Sequence, residues 1–136
     1  MFYSEVTVTV ADGIFVIDGS SQKRFNLQNG LTYRFNQEDS SNNGHPFRFS
    51  ETNNGTHNSG TEYTTNVSTN GTPGTAGAYT QIIVNQATPF LYYYCSSHEN
   101  MGGAAFHLTT YQITGPGTEP GILRLGATFI DFNKNL

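Results

Sequence analysis

Turn-forming residues interrupt this chain at short intervals, in DGSS (18 to 21), QNG (28 to 30), SSNNG (40 to 44), TNNG (52 to 55), TNGTPG (69 to 74) and GPGTEPG (115 to 121). Gly or Asn stands wherever a tight turn needs a positive φ. Between the interruptions lie short runs of two kinds. SEVTVTV (4 to 10) and LTYRF (31 to 35) alternate polar with apolar residues, the period of a strand with one buried face. GIFVID (13 to 18) and PFLYYYC (89 to 95) are almost continuously apolar or aromatic, which predicts strands covered on both faces. PFRFS (46 to 50), YTQIIV (79 to 84), FHLTTYQI (106 to 113) and ILRLGATFIDF (122 to 132) are further strand candidates, and no segment carries the pattern of an amphipathic helix. Many short strands at this spacing predict an all-β fold, a sandwich or a barrel.

Composition narrows the partners. At 136 residues the chain is one domain, long enough to close a single core without disulfide staples. It is rich in Thr, Asn, Gly, Tyr and Phe, which suits strands and turns over helices. Six Lys and Arg against ten Asp and Glu, a formal charge of -4 with no basic run, argue against a nucleic-acid partner. A single cysteine excludes an internal disulfide, so its thiol is buried, reactive or metal-bound. No run of 18 apolar residues occurs and the N-terminal stretch lacks the features of an export signal, so the expectation is a soluble chain with no membrane partner. Residues 51 to 78 hold almost no large aliphatics and read as a long polar loop, with a short edge strand near Tyr63. The Asn-x-Ser/Thr triplets at Asn54, Asn66 and Asn70 read as loop composition.

The stretch YYYCSSHENMGG (92 to 103) gathers Cys95, His98 and Met101 at intervals of three. If PFLYYYC and the run beginning near Phe106 are neighbouring strands, the residues between them form a tight loop that can aim all three side chains at one point. A thiolate, an imidazole and a thioether are a soft ligand set suited to copper, and a second imidazole would complete a trigonal His, His, Cys arrangement with a weak axial Met. His45, in NNGHPFRFS, is placed for that role. It stands at a turn-to-strand boundary, followed by Pro46, which fixes φ and removes a donor, and by the alternating Phe47 and Phe49.

One His at the start of a middle strand, followed by a C-terminal Cys-x-x-His-x-x-Met loop after a strand ending Tyr-Tyr-Cys, resembles the type 1 (blue) copper proteins, the cupredoxins. The spacing of Cys95, His98 and Met101 is similar to the short loop of amicyanin, whereas plastocyanin and pseudoazurin have a longer gap before Met. The resemblance implies a cupredoxin-like Greek-key β-sandwich. It also implies a mononuclear copper site with His45, Cys95 and His98 as equatorial metal ligands and Met101 as the axial one, serving one-electron transfer or copper binding. It covers about residues 14 to 113, leaving strand-like flanks at 1 to 12 and 115 to 136. The same motifs look like cupredoxin-like modules of marine cyanobacteria and their phages, virion proteins included. Two departures stand out. Pro46 occupies the place where plastocyanin and amicyanin carry an Asn that ties the two ligand loops together, and the chain runs 35 residues beyond Met101.

Other readings compete. Zinc is the alternative metal, with two His and one Cys leaving a position for water. A Cys, His nucleophile would need a third group to orient the base, and none stands out, so the expectation is not an enzyme. A structural or decoration protein of an assembly such as a phage virion is the rival from a different class. Its partners would be neighbouring subunits, those of a homo-oligomer included, instead of a redox protein. Taken singly, Cys95 is a small buried hydrophobe and Met101 a plug for the sandwich mouth. His57 and His107 read as solvent-facing or hydrogen-bonded residues outside the ligand set. Along the tyrosine run, Tyr93 shares a face with Cys95 while Tyr92 and Tyr94 share the other. The small residues Pro46, Gly102, Gly103, Ala104 and Ala105 would let a partner approach closely.

Overall fold

Alternation in the first run decides the start of the fold: Val6 and Val8 turn inward while their neighbours face out. In the computed structural model, which describes residues 2–107 and two short strands at 123–125 and 128–130, this run is β1 (Ser4–Ala11). Two hairpins follow, into β2 (Ile14–Ile17) and β3 (Ser20–Ser21). Each has a two-residue Asp-Gly loop, Asp12-Gly13 and Asp18-Gly19, with all four φ angles positive. Such primed turns match the twist of the strands they join. The remaining strands of the sandwich are β4 (Phe25–Leu27), β5 (Thr32–Asn36), β6 (Phe47–Ser50), β7 (Glu62–Tyr63), β8 (Val67–Asn70), β9 (Tyr79–Ile83), β10 (Leu91–Cys95) and β11 (Gly103–His107).

They form two mixed sheets, one in the order β3-β2-β1-β5-β9-β8, the other β4-β11-β10-β6-β7. The protein is an all-β sandwich. Between the layers lies an aromatic core. Phe47 of β6 stacks on Phe35 of the opposite sheet (centroids 4.7 Å apart) and on Tyr93 of its own sheet (5.0 Å), and meets Phe15 edge-on at 5.2 Å. All four rings are at most 1% exposed.

Several expectations are corrected by this arrangement. The sequence reading sets residues 1–12 outside the core, yet β1 lies inside the six-stranded sheet, antiparallel to β2 and parallel to β5. Val6 and Val8 are core residues, 3% and 0% exposed. GIFVID is not covered on both faces: Phe15 and Ile17 are buried, whereas Ile14 and Val16 are only half-buried, since a two-layer sandwich leaves each strand an outer face. PFLYYYC does come close to double coverage, because a 3-10 turn from the polar loop (Gly55–Asn58) lies over Tyr94. That loop is more ordered than its composition implies. Besides the edge strand at Tyr63 it supplies β8, paired antiparallel with β9. Of the candidate strand at 106 to 113, Phe106 and His107 end β11, and 108 to 113 lie outside the described residues. The flank at 115 to 136 is described only at β12 (Leu123–Leu125) and β13 (Thr128–Ile130). These two strands pair with each other, so the single run read at 122 to 132 is a strand pair.

The central place of Phe47 carries a prediction. Phe47→Ala removes a ring packed by both layers and should cost about 3–5 kcal/mol of unfolding free energy, read as a fall in the urea midpoint at unchanged m-value.

Candidate metal centre

His45 is delivered by a loop whose polar groups are sealed inside the protein. After β5, Gln37 (1% exposed) and Asn42 (0%) are buried side by side. The Gln37 amide donates to Asn42 Oδ1 (2.9 Å) and to the His45 carbonyl (2.7 Å), and accepts from the Phe47 N–H (3.0 Å). Asn42 in turn donates to the Val8 carbonyl at 2.8 Å. Asp39 caps the 3-10 turn Ser40–Asn42 through the Ser41 N–H, and the His45 N–H bonds to the Asn42 carbonyl. A buried amide with every hydrogen-bonding position filled is rigid, because any movement would strand a polar group away from water. The backbone on both sides of Pro46 is thus fixed by Gln37.

Strand register then brings the cysteine to the histidine. β6 and β10 run antiparallel with Phe47 opposite Cys95, so His45, two residues before Phe47, lies at the same end of the sheet as Cys95. The Ser96 N–H donates to the Pro46 carbonyl at 3.2 Å. This bond joins the two ligand-bearing segments in the place where the resemblance led one to expect an Asn.

The loop from Ser96 to Gly102 is held from four directions. The Phe15 N–H donates to the Met101 carbonyl (3.0 Å), and the Gln22 amide to the carbonyls of Asn100 (3.2 Å) and Gly102 (3.0 Å). Asn54 Oδ1 accepts from the Asn100 N–H (2.8 Å), and the His57 ring donates through Nε2 to the Cys95 carbonyl (2.8 Å). At the return into β11, Gly102 passes so close to β10 that a Cβ there would collide with the Tyr93 carbonyl. Close backbone approach therefore accounts for the glycine at 102; of the small residues near the loop, Ala105 is fully buried, while Pro46, Gly102, Gly103 and Ala104 are half-buried.

Three donor atoms converge as a result. Cys95 Sγ stands 3.7 Å from Nδ1 of His45 and 3.8 Å from Nδ1 of His98, and the two imidazole rings are 4.7 Å apart at their centroids. Transition-metal ions hold thiolate sulfur at about 2.3 Å and imidazole nitrogen at about 2.0 Å, so two such ligands stand about 3.7 Å apart at a trigonal angle and about 3.5 Å at a tetrahedral one. The two sulfur-to-nitrogen spacings fit ligands to one ion. His45, Cys95 and His98 can hold a metal ion. Met101, at the end of the same loop, is 1% exposed and belongs to the buried cluster that contains Cys95.

The electrostatics follow from burial. Cys95 is wholly buried while His45 is partly covered and His98 exposed. Burial pushes the Cys95 thiol above its ordinary value, against the opposing pull of the Ser97 and His98 amides and of Arg48. Burial, then repulsion from His98, lowers the His45 pKa and favours the neutral ring that ligates. The remaining histidines stay outside the trio. His57 is the hydrogen-bonded residue described above. His107, read as solvent-facing or hydrogen-bonded, is buried at 2% exposure and bonds to the Thr88 carbonyl at 2.7 Å. Tyr93 shares the inner face with Cys95, as the alternation predicts. Gln22, Gln37, Asn42, Asn54 and His57, which position the site, were not singled out as such by sequence: all but Gln37 act on residues remote along the chain, and Gln37 acts through burial that its neighbours do not signal.

Comparison of the chain with protein-family models, with curated proteins and with solved structures finds no match in any of the three.

The raised Cys95 pKa predicts how the metal-free protein responds to base. An unfolded thiol loses its proton near pH 8.5 while the folded one keeps it, so stability is full below about pH 8.5 and falls as pH rises through the ordinary thiol range. Tyr93, also pushed up by burial, adds to the loss above about pH 10. Cys95→Ser should flatten the first part of the decline and leave the second, measured by urea unfolding between neutral and strongly alkaline pH.

Proposed function

We propose that this protein is a mononuclear copper module of cupredoxin-like type. The observation that carries the reading is the near-equal spacing of one sulfur and two imidazole nitrogens, at 3.7 and 3.8 Å. A thiolate with two imidazoles is a soft-to-borderline set that suits copper and argues against magnesium or calcium. Copper bound there would supply one-electron exchange between Cu(I) and Cu(II).

The chain's own residues have separable roles in this reading. Cys95, sealed from water, gives its thiolate and releases its proton when the ion enters. His45 is held by the Gln37 amide through its own carbonyl and supplies a neutral ring. His98 lies at the surface, where its ring offers an electron route to a redox partner. Met101 is the candidate for a weak fourth ligand, since it is buried with Cys95 and its thioether favours copper over zinc.

Titration with Cu(II) should give an intense visible band at one equivalent, from thiolate-to-copper charge transfer, together with a rise in melting temperature. Cys95→Ser should remove the band, whereas Met101→Leu should keep it and raise the potential, because a lost donor destabilises Cu(II) more than Cu(I). A colourless one-to-one complex formed with zinc in preference to copper would replace this reading with a zinc site.

A further inference from the structure

The loop from Ser96 to Gly102 contains no strand of its own, yet it must present His98 towards His45 and Cys95. Its most elaborate tether comes from the polar segment around the 3-10 turn Gly55–Asn58. Asn54 adopts φ 68° and Asn100 φ 64°, the left-handed conformation that Asn tolerates better than most residues. Facing each other, they form a two-point contact. Asn54 Oδ1 accepts the Asn100 N–H at 2.8 Å, and Asn54 Nδ2 donates to Asn100 Oδ1 at 3.2 Å. Three residues on, His57 Nε2 donates to the carbonyl of Cys95 itself. Because a carbonyl only accepts, that nitrogen carries the ring proton.

The turn is itself seated on the ligand strand. Gly55 lies flat on the Tyr94 ring, where an added Cβ would come within 2.6 Å of three ring carbons, and the His57 ring meets the edge or face of Tyr94 at 6.2 Å. A segment of polar composition is thus locked to β10 and to the ligand loop by two side chains and one glycine. None of these contacts uses a ring nitrogen of His45 or His98 or the sulfur of Cys95, so none competes with an ion for a donor.

We propose that residues 54 to 57 are a clasp that keeps Cys95 and His98 in ligating positions before any metal arrives, with Asn54 and His57 as positioning residues. The inference rests on the reading of His45, Cys95 and His98 as ligands. Its consequence is that affinity depends on side chains that never touch the ion, as outer residues of metal sites commonly affect binding by about 10–100-fold.

The test uses the metal-free protein first. Asn54→Gly accommodates the positive φ and removes the side-chain amide with its Cβ, so the Asn100 N–H should exchange with solvent at least tenfold faster while amides of β5 and β9 keep their wild-type rates. Asn54→Asp retains an oxygen for the same N–H and should restore most of the protection. Copper affinity is then measured by competition between the protein and a Cu(I) chelator. Asn54→Gly and His57→Leu should each weaken binding by about tenfold or more, whereas His57→Gln, which can still donate to the Cys95 carbonyl, should stay within about threefold of wild type. If His57→Leu fails to fold, the Asn54 pair decides the question. Asn100 exchange unchanged in folded Asn54→Gly overturns the clasp, as does accelerated exchange with unaltered copper affinity. If the wild-type protein binds no copper, the metal reading fails on its own account, and the exchange measurement still decides whether this turn holds the loop.

Discussion

The face-to-face stack of Phe35, Phe47 and Tyr93 is the contact on which the rest of the structure depends. It joins the two sheets, and its middle ring belongs to the residue paired with Cys95 and two positions after His45. Aromatic packing and strand register are therefore one constraint at this point. A slip of β6 by one residue would turn Phe47 out of the core and at the same time carry the His45 ring away from the sulfur. The hydrophobic term that folds the sandwich also sets the relative position of two donors that lie fifty residues apart in sequence.

Polar groups complete what the core begins. The buried pair Gln37 and Asn42 satisfy each other: without Asn42 one Gln37 N–H would lose its acceptor, and without Gln37 the Asn42 Oδ1 would lose its donor, both out of reach of water. Together they stitch β1, β6 and the His45 loop into one unit. On the other side of the donors, Gln22, Asn54 and His57 attach the loop after Cys95 to segments remote in sequence. Rigidity at the site comes from hydrogen bonds whose every partner is accounted for, and the sandwich supplies the frame to which they are anchored.

Much of this was legible in the residues, and the boundary of legibility has a physical cause. Alternation in SEVTVTV and LTYRF marks strands with one inward face, and the interval of three between Cys95 and His98 places both on one short loop. Such patterns are local. The place of β1 beside β5 is not, because alternation says that a strand has a buried face and is silent about its neighbour. The polar run from 51 to 78 lacks large aliphatics, yet it packs through a glycine against Tyr94 and through amides against a loop 46 residues away, which composition cannot reveal. The glycine at 102 was visible as a small residue, but the carbonyl that excludes a side chain there is known only once β10 and β11 are paired.

The uneven exposure of the three donors has a consequence of its own. The sulfur is sealed, the ring at 45 is partly covered, and the ring at 98 is exposed. An ion among them would be reached past the two imidazoles, the ring at 98 foremost, and never past the sulfur. A surface that settled over both rings would close the trio, since the sulfur has no opening of its own.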